Sequence, residues 1–267
     1  MKLEREERDA GALVLRLNDP EKYNALSYEL ASELTTAVKA AGTDPDCRVI
    51  IVTGAGRGFC SGADLGGVDA VWPGTEERSQ VGLMYKAQND LVDMVLAIHE
   101  CDKPVIAALN GAAVGGGMAL ALACDLRVAA DNARLGARFV RVGLSACDLG
   151  TSYLLPRIVG AARAAELMLT GRDCGAEEAE RIGLVNKVAP ADRLLDAAVD
   201  LAALIAANSD YGMTMTKLGM WTNIDAPSLR HAIELENRIQ ALAVFTGNLS
   251  EGAQAFFEKR PAEWKPW

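Results

Sequence analysis

The sequence predicts an α/β fold, on three observations. Runs rich in Val, Ile and Leu, closed by turn residues, recur at 12–17 (ALVLRL), 48–54 (RVIIVTG), 104–109 (PVIAAL) and 125–130 (DLRVAA); this is the pattern of buried strands. Between them lie segments whose apolar residues recur at helical spacing, and such alternation builds a sheet core covered by helices. Beyond about residue 190 the strand runs stop and the chain reads as helices alone.

The elements follow in order. Leu26, Leu30, Leu34, Val38 and Ala41 mark one face of a helix, with Ser27 as its N-cap. Residues 66–82 (GGVDAVWPGTEERSQVG) lack steady periodicity, which predicts a loop, either over a site or as a plain surface connection. A helix is expected over 83–100. Segment 104–124 is long and uncharged, but it carries Asn110 and four glycines and is mostly Ala and Gly. Bilayer insertion favours Leu, Ile and Phe, so a buried strand–turn–helix unit is expected instead. Segments 192–208, 211–222, 228–246 and 250–259 read as helices broken near Ser209, Pro227 and Gly247. This predicts a core over 1–195 and a helical region over 196–267, packed on that core or on a partner subunit.

Composition bounds the function. With 267 residues, 50% hydrophobic and 24% charged, the chain can bury one sizeable core. A net charge of −9 argues against broad binding to nucleic acid or an anionic membrane. An anionic ligand would need locally placed Lys, Arg or helix N-termini. Cys47, Cys60, Cys101, Cys124, Cys147 and Cys174 form no C-x-x-C pair and read as free thiols of a reducing cytoplasm. With His99 and His231 as the only histidines, a His-rich zinc site is not expected. The opening MKLEREERDA lacks the apolar run of a signal peptide.

Two glycine-rich stretches carry the chemistry. NGAAVGGGMAL (110–120) places Gly115, Gly116 and Gly117 between a strand and an apolar helix. Glycine lets backbone approach a ligand closely, and a helix start offers unpaired N–H groups at the positive end of a dipole. An oxyanion site needs this, though a tight packing turn would use the same residues. GAGRGFCSGADLGG (54–67) also follows a strand. Its Gly54, Gly56 and Arg57 break the G-x-G-x-x-G register of a dinucleotide site, but Ala63 is placed to supply a second N–H.

Six segments then identify a resemblance: LNDPEKYNAL (17–26), GFCSGADL (58–65), KPVIAALNGAAVGGGMALALACDLRVAA (103–130), LPRIVG (155–160), AAELMLTGRDCGAEEAERIGLVNKV (164–188) and EGAQAFFEKRPAEW (251–264). In order and spacing the chain resembles the enoyl-CoA hydratase/isomerase (crotonase) superfamily over nearly its whole length. The resemblance implies a spiral of repeated ββα units with a C-terminal helical trimerisation region, assembled as a homotrimer or as a hexamer of paired trimers. It implies acyl-CoA substrates and no further cofactor, coenzyme A being part of the substrate. It maps the oxyanion donors onto the N–H groups of Ala63 and Gly116. Substrate or coenzyme A contacts fall on Lys22, Ser61, Asp64, Leu65, Gly115, Phe139 and Lys259, the last approaching the phosphates from a neighbouring subunit.

The chain departs from the family where hydratases carry two glutamates, one to activate water and one to move the proton. Those positions are Ala119 and Phe139. Asp148 remains, at a position that carries a functional aspartate in the dienoyl-CoA isomerases and the 4-chlorobenzoyl-CoA dehalogenases. The histidine base of the dehalogenase branch falls at Val92. Three readings stay open: Asp148 as a lone acid/base in an enolate-forming enzyme, Asp148 as a nucleophile, or an acyl-CoA binder without catalysis. Asp69, Glu76 or Glu77 of the loop would be further carboxylates, and Asp148 itself would serve as a helix N-cap in the bland alternative.

Overall fold

The structure is a computed structural model, and it describes residues 1–64 and 72–266. Among the described residues ten strands form two sheets. Strands β1 (Leu3–Arg8), β2 (Ala12–Leu17), β3 (Val49–Gly54), β5 (Val105–Leu109), β7 (Leu126–Ala130) and β10 (Lys187–Ala189) make the larger one, in that order. Strands β4 (Gly58–Cys60), β6 (Ala112–Val114), β8 (Arg134–Gly136) and β9 (Cys174–Gly175) make the smaller. The helices are α1 (Tyr28–Thr43), α2 (Gln80–His99), α3 (Gly116–Ala123), α4 (Thr151–Val159), α5 (Ala161–Thr170), α6 (Ala176–Arg181), α7 (Leu194–Ala206), α8 (Asp210–Ile224), α9 (Leu229–Ala243) and α10 (Asn248–Glu258).

The repeated unit is visible in the strand order. β3–β4–α2, β5–β6–α3 and β7–β8–α4 each give one strand to the large sheet and one to the small. Successive repeats pair in parallel in both sheets, so the chain climbs as a spiral. Every residue of β3 and β5 is buried, as their unbroken Val, Ile and Ala runs require of strands covered on both faces. Helix α3 is buried along its whole length, because its residues after Gly117 are only Ala, Leu and Met. The segment that reads superficially like a membrane span is therefore the centre of the core. Among the described residues no helix is long and apolar enough to cross a membrane.

Ser27 caps α1 as expected, accepting the Leu30 N–H. Helix α2 starts at Gln80, three residues earlier than its periodicity indicates, because Ser79 accepts the Gly82 N–H as N-cap. Of the loop expected over 66–82, residues 66–71 lie outside the described residues, and the rest gives way to α2 after residue 79. Asp148 is not the N-cap of α4. That position is Gly150, held left-handed at φ 78°, with no side-chain cap.

Helix α7 packs on β2, β3, β5 and β7, so the 195–196 division falls in the first turn of a helix that covers the large sheet. Helix α8 also buries Tyr211, Met213 and Lys217, and the helices after it pack more loosely. Helix α9 has no buried residue, and Leu229, Leu242, Phe245, Leu249, Phe256 and Phe257 are exposed over α9, α10 and their connection. All six cysteines are free.

Candidate active site

Two side-chain amides, one buried and one half-buried, staple the glycine turns together. Asn24 is fully buried, and its Nδ2 donates to the carbonyls of Ala55 (3.0 Å), Gly58 (2.8 Å) and Phe59 (3.2 Å), while its Oδ1 accepts the Asp19 N–H. Asn110 does the same from the other side, donating to Gly56 and Gly58 (both 3.1 Å) and accepting the Gly54 N–H at 3.0 Å. Tyr23 and Asn24 are both left-handed (φ 52° and 56°), a conformation that costs non-glycine residues and persists where tight bonding over-determines it. The signal for both staples was in the sequence, since each asparagine lies in a quoted motif beside a turn.

This stapling brings Gly62, which precedes Ala63, up against Gly116. The Leu26 N–H bonds the Gly62 carbonyl at 2.8 Å and the Asp64 N–H bonds the Leu26 carbonyl, so Ala63 bridges Leu26 in parallel and its own N–H points the opposite way. A β-carbon built on Gly62 would lie 3.0 Å from the Gly116 nitrogen and 2.9 Å from the Val114 carbonyl oxygen. Gly115 (φ 55°, ψ −123°) turns the chain into α3, and its N–H is spent on the Gly136 carbonyl at 2.9 Å. Gly116 opens the helix, where N–H groups have no intrahelical partner.

The Asp148 loop closes on the same point. Leu149, left-handed at φ 45°, reaches Gly116 with its Cδ1, 3.4 Å from the position of a β-carbon there. Phe139 Cε1 stands 4.0 Å from a β-carbon on Gly115. Phe139 and Ala119, the two positions without glutamate, are buried and apolar. Asp148 is half-buried, and its Oδ1 accepts a hydrogen bond from Gln88 Nε2 of α2. Sequence reasoning missed Gln88, and nothing in an amphipathic helix flags one glutamine. Val92 lies one turn further along α2, packed against the core.

Lys22, Ser61 and Asp64 also meet. Lys22 Nζ pairs with Asp64 Oδ2 at 2.6 Å, and the Lys22 carbonyl accepts the Ser61 hydroxyl at 3.1 Å. The bond to Asp64 holds the Lys22 ammonium above the usual lysine range, so it stays cationic. Leu65 and Asp69 lie outside the described residues. Glu76 is exposed and accepts the Gly74 N–H of its own turn, and Glu77 is exposed, so neither is drawn toward Asp148 by any bond. Arg138 is turned away, its Nε on Asp173 at 2.7 Å, and Arg141 is exposed. Lys259 is exposed at the end of α10, with no hydrogen bond or ion pair to this cluster among the described residues. No group of His, Cys, Asp and Glu among the described residues is arranged to hold a metal.

A ββα spiral whose glycine turns meet beside the loop that carries Asp148 defines a protein of the crotonase fold. A crystal structure of a probable enoyl-CoA hydratase/isomerase from Mycobacterium abscessus superimposes with a TM-score of 0.93 at 37% identity, covering 99% of each chain. A second, of a monofunctional enoyl CoA isomerase from M. smegmatis, has a TM-score of 0.72 at 39% identity, over 87% of this chain and 98% of that one. In sequence, a probable enoyl-CoA hydratase (echA12) of Mycobacterium leprae is 45% identical over 249 residues, 93% of this chain and 84% of its own. Residues 7–266 match the family model for enoyl-CoA hydratase/isomerase, and the chain belongs to that family of enzymes.

Proposed function

We propose that the enzyme moves a proton on an acyl-CoA thioester, with double-bond migration in an enoyl-CoA as its reaction and Asp148 as the sole acid/base. Asp148 removes a proton from C2 of a 3-enoyl thioester. The electron pair flows into the thioester oxygen, which the N–H groups of Ala63 and Gly116 receive. The protonated Asp148 then returns the proton at C4, leaving the double bond between C2 and C3. No water enters, so no second carboxylate is needed.

The observation carrying this reading is that the two hydratase positions, Ala119 and Phe139, are buried and apolar, while Asp148 precedes Leu149, whose side chain packs on Gly116. Addition of water calls for one group to activate it and another to handle the proton. The 39% identical relative from M. smegmatis is an enoyl CoA isomerase, which agrees. The nucleophilic alternative lacks its base, residue 92 being a partly buried Val.

In this reading the active form is a homotrimer or a pair of trimers. Its support is the apolar surface left open on α9 and α10 and the exposed position of Lys259, which would meet the coenzyme A phosphates of a neighbouring subunit.

Asp148→Asn tests the assignment. The variant should fold and bind acyl-CoA while kcat falls by about 100-fold or more. Wild-type turnover on an accepted 3-enoyl-CoA would reject it.

A further inference from the structure

Asp148 stands on a loop whose backbone is well determined but whose side chain is thinly held. Leu149 and Gly150 are both left-handed, and the Asp148 carbonyl accepts the Thr151 N–H at 2.8 Å. The carboxylate itself has one hydrogen bond among the described residues, from Gln88. We infer that Gln88 is a positioning residue for the reaction: its amide holds Oδ1 of Asp148 and leaves Oδ2 turned to the substrate. The inference rests on the reading of Asp148 as the acid/base.

Three observations favour this role over that of a solvated glutamine. Gln88 is exposed on α2 but lies one turn before the buried Leu91 and ahead of Met94, Val95 and Ile98, so it borders the buried stripe of the helix. The helix that carries it is anchored close by. Trp72 Nε1 donates to Asp90 Oδ2 at 2.6 Å, Lys86 pairs with the same carboxylate, and the Trp72 ring meets Tyr28 of α1 edge-on at 5.5 Å. Finally, the bond joins α2 to the loop before α4, and no other hydrogen bond does so among the described residues.

An amide has no proton to exchange at working pH, so Gln88 does not replace a missing glutamate as acid or base. What it contributes is orientation. A carboxylate that must collect a proton at C2 and return it at C4 works only from a narrow range of positions, and misplacement by about 1 Å is enough to cost two orders of magnitude in rate. Fixing one oxygen while freeing the other selects a single rotamer for both transfers.

The test uses Gln88→Met, which keeps the length and removes the donor, and Gln88→Glu, which keeps the shape and sets a second carboxylate against Asp148. Each is assayed with the 3-enoyl-CoA that the wild type turns over fastest, and by mass spectrometry for deuterium uptake in D2O. Both should lower kcat about tenfold or more with KM within about twofold, because coenzyme A binding does not involve this bond. Gln88→Met added to Asp148→Asn should cost nothing further, since the amide acts through the carboxylate.

If one variant fails to fold, judged by circular dichroism, the other carries the test. A kcat within threefold of wild type, a loss confined to KM, or an additive double variant overturns the inference. Asp148→Asn measured alongside separates the two claims. Wild-type exchange in that variant would defeat the acid/base reading, whereas a slow Asp148→Asn with normal Gln88 variants would defeat only the positioning role.

Discussion

Gly62 and Gly116 face each other so closely that a single methyl group on the first would meet the backbone nitrogen of the second at 3.0 Å. Gly62 also has φ +88°, a conformation that L side chains rarely adopt. Gly62→Ala therefore combines strain with a clash against backbone, which cannot rotate aside. It is expected to cost about 2 kcal/mol of stability and, on the proposed oxyanion role of Ala63 and Gly116, to depress kcat beyond what that loss explains, by spreading their N–H groups apart. Urea unfolding and turnover at a temperature where the variant is fully folded check both parts.

Gly117 makes a harsher case of the same geometry. A β-carbon there would run into the carbonyl of Cys60, which belongs to β4, and α3 has no room to retreat because it is buried on every side. Gly117→Ala is expected to destabilise by about 3 kcal/mol, seen as a drop in the denaturation midpoint with little change in slope.

The thiols should divide five to one. Cys47, Cys60, Cys101, Cys124 and Cys174 are buried, and burial pushes the thiols of Cys60 and Cys124 up to about 12. Cys147 is exposed. Since the thiolate is the reactive form, iodoacetamide should modify one cysteine per native chain, identified by peptide mapping as Cys147, and all six after denaturation. Modification of a second thiol in the native protein would show that the core opens more readily than its packing indicates.

Much of this was legible in the sequence, and what was not has physical reasons. The long strands β2, β3, β5 and β7 and the cap at Ser27 announce themselves through apolar runs and a hydroxyl at a helix start. The small sheet does not. Strands β4, β6, β8 and β9 are two or three residues each and rich in Gly and Ala, too short for an alternating pattern to show. They are nonetheless what carries Gly62, the neighbour of Ala63, up against Gly116. Helix starts slipped for a related reason, since Ser79 caps α2 from within a stretch that reads as loop. Within the site, the glycines were visible because turns demand them. Gln88 was not, because an exposed glutamine on a helix acquires its meaning only from what lies opposite.

Lys217 and Asp125 form a buried ion pair at 2.8 Å that ties α8 to the core. The carboxylate also accepts the Val105 N–H (2.8 Å) and Trp221 Nε1 (3.0 Å), and the ammonium donates to the Lys103 carbonyl at 3.1 Å. Breaking such a pair from one side leaves a charge without its partner. Lys217→Met is expected to cost about 3 kcal/mol, and Lys217→Met with Asp125→Asn less than the two single changes added, because the second removes the stranded charge. A double-mutant cycle by urea denaturation measures the coupling.

The last prediction concerns acid. Arg172 bridges Glu178 at 2.7 Å and Glu166 at 2.8 Å, and its hydrogen bonds pull the Glu178 carboxyl from its ordinary 4.5 to about 2. A depressed folded value means that the pair stabilises fully above about 4.5 and loses its contribution as the pH falls toward 2. Both side chains are partly solvated, at 33% and 24% exposure, so water and salt screen much of the attraction. Glu178→Gln should therefore be less stable than wild type by about 1 kcal/mol at neutral pH. The gap should close as the medium is acidified below 4.5 and shrink at high salt. Guanidinium-free urea denaturation across that range reads it directly. A gap that widened on acidification would mean that Glu178 gains its partner only in the unfolded chain, contrary to the geometry.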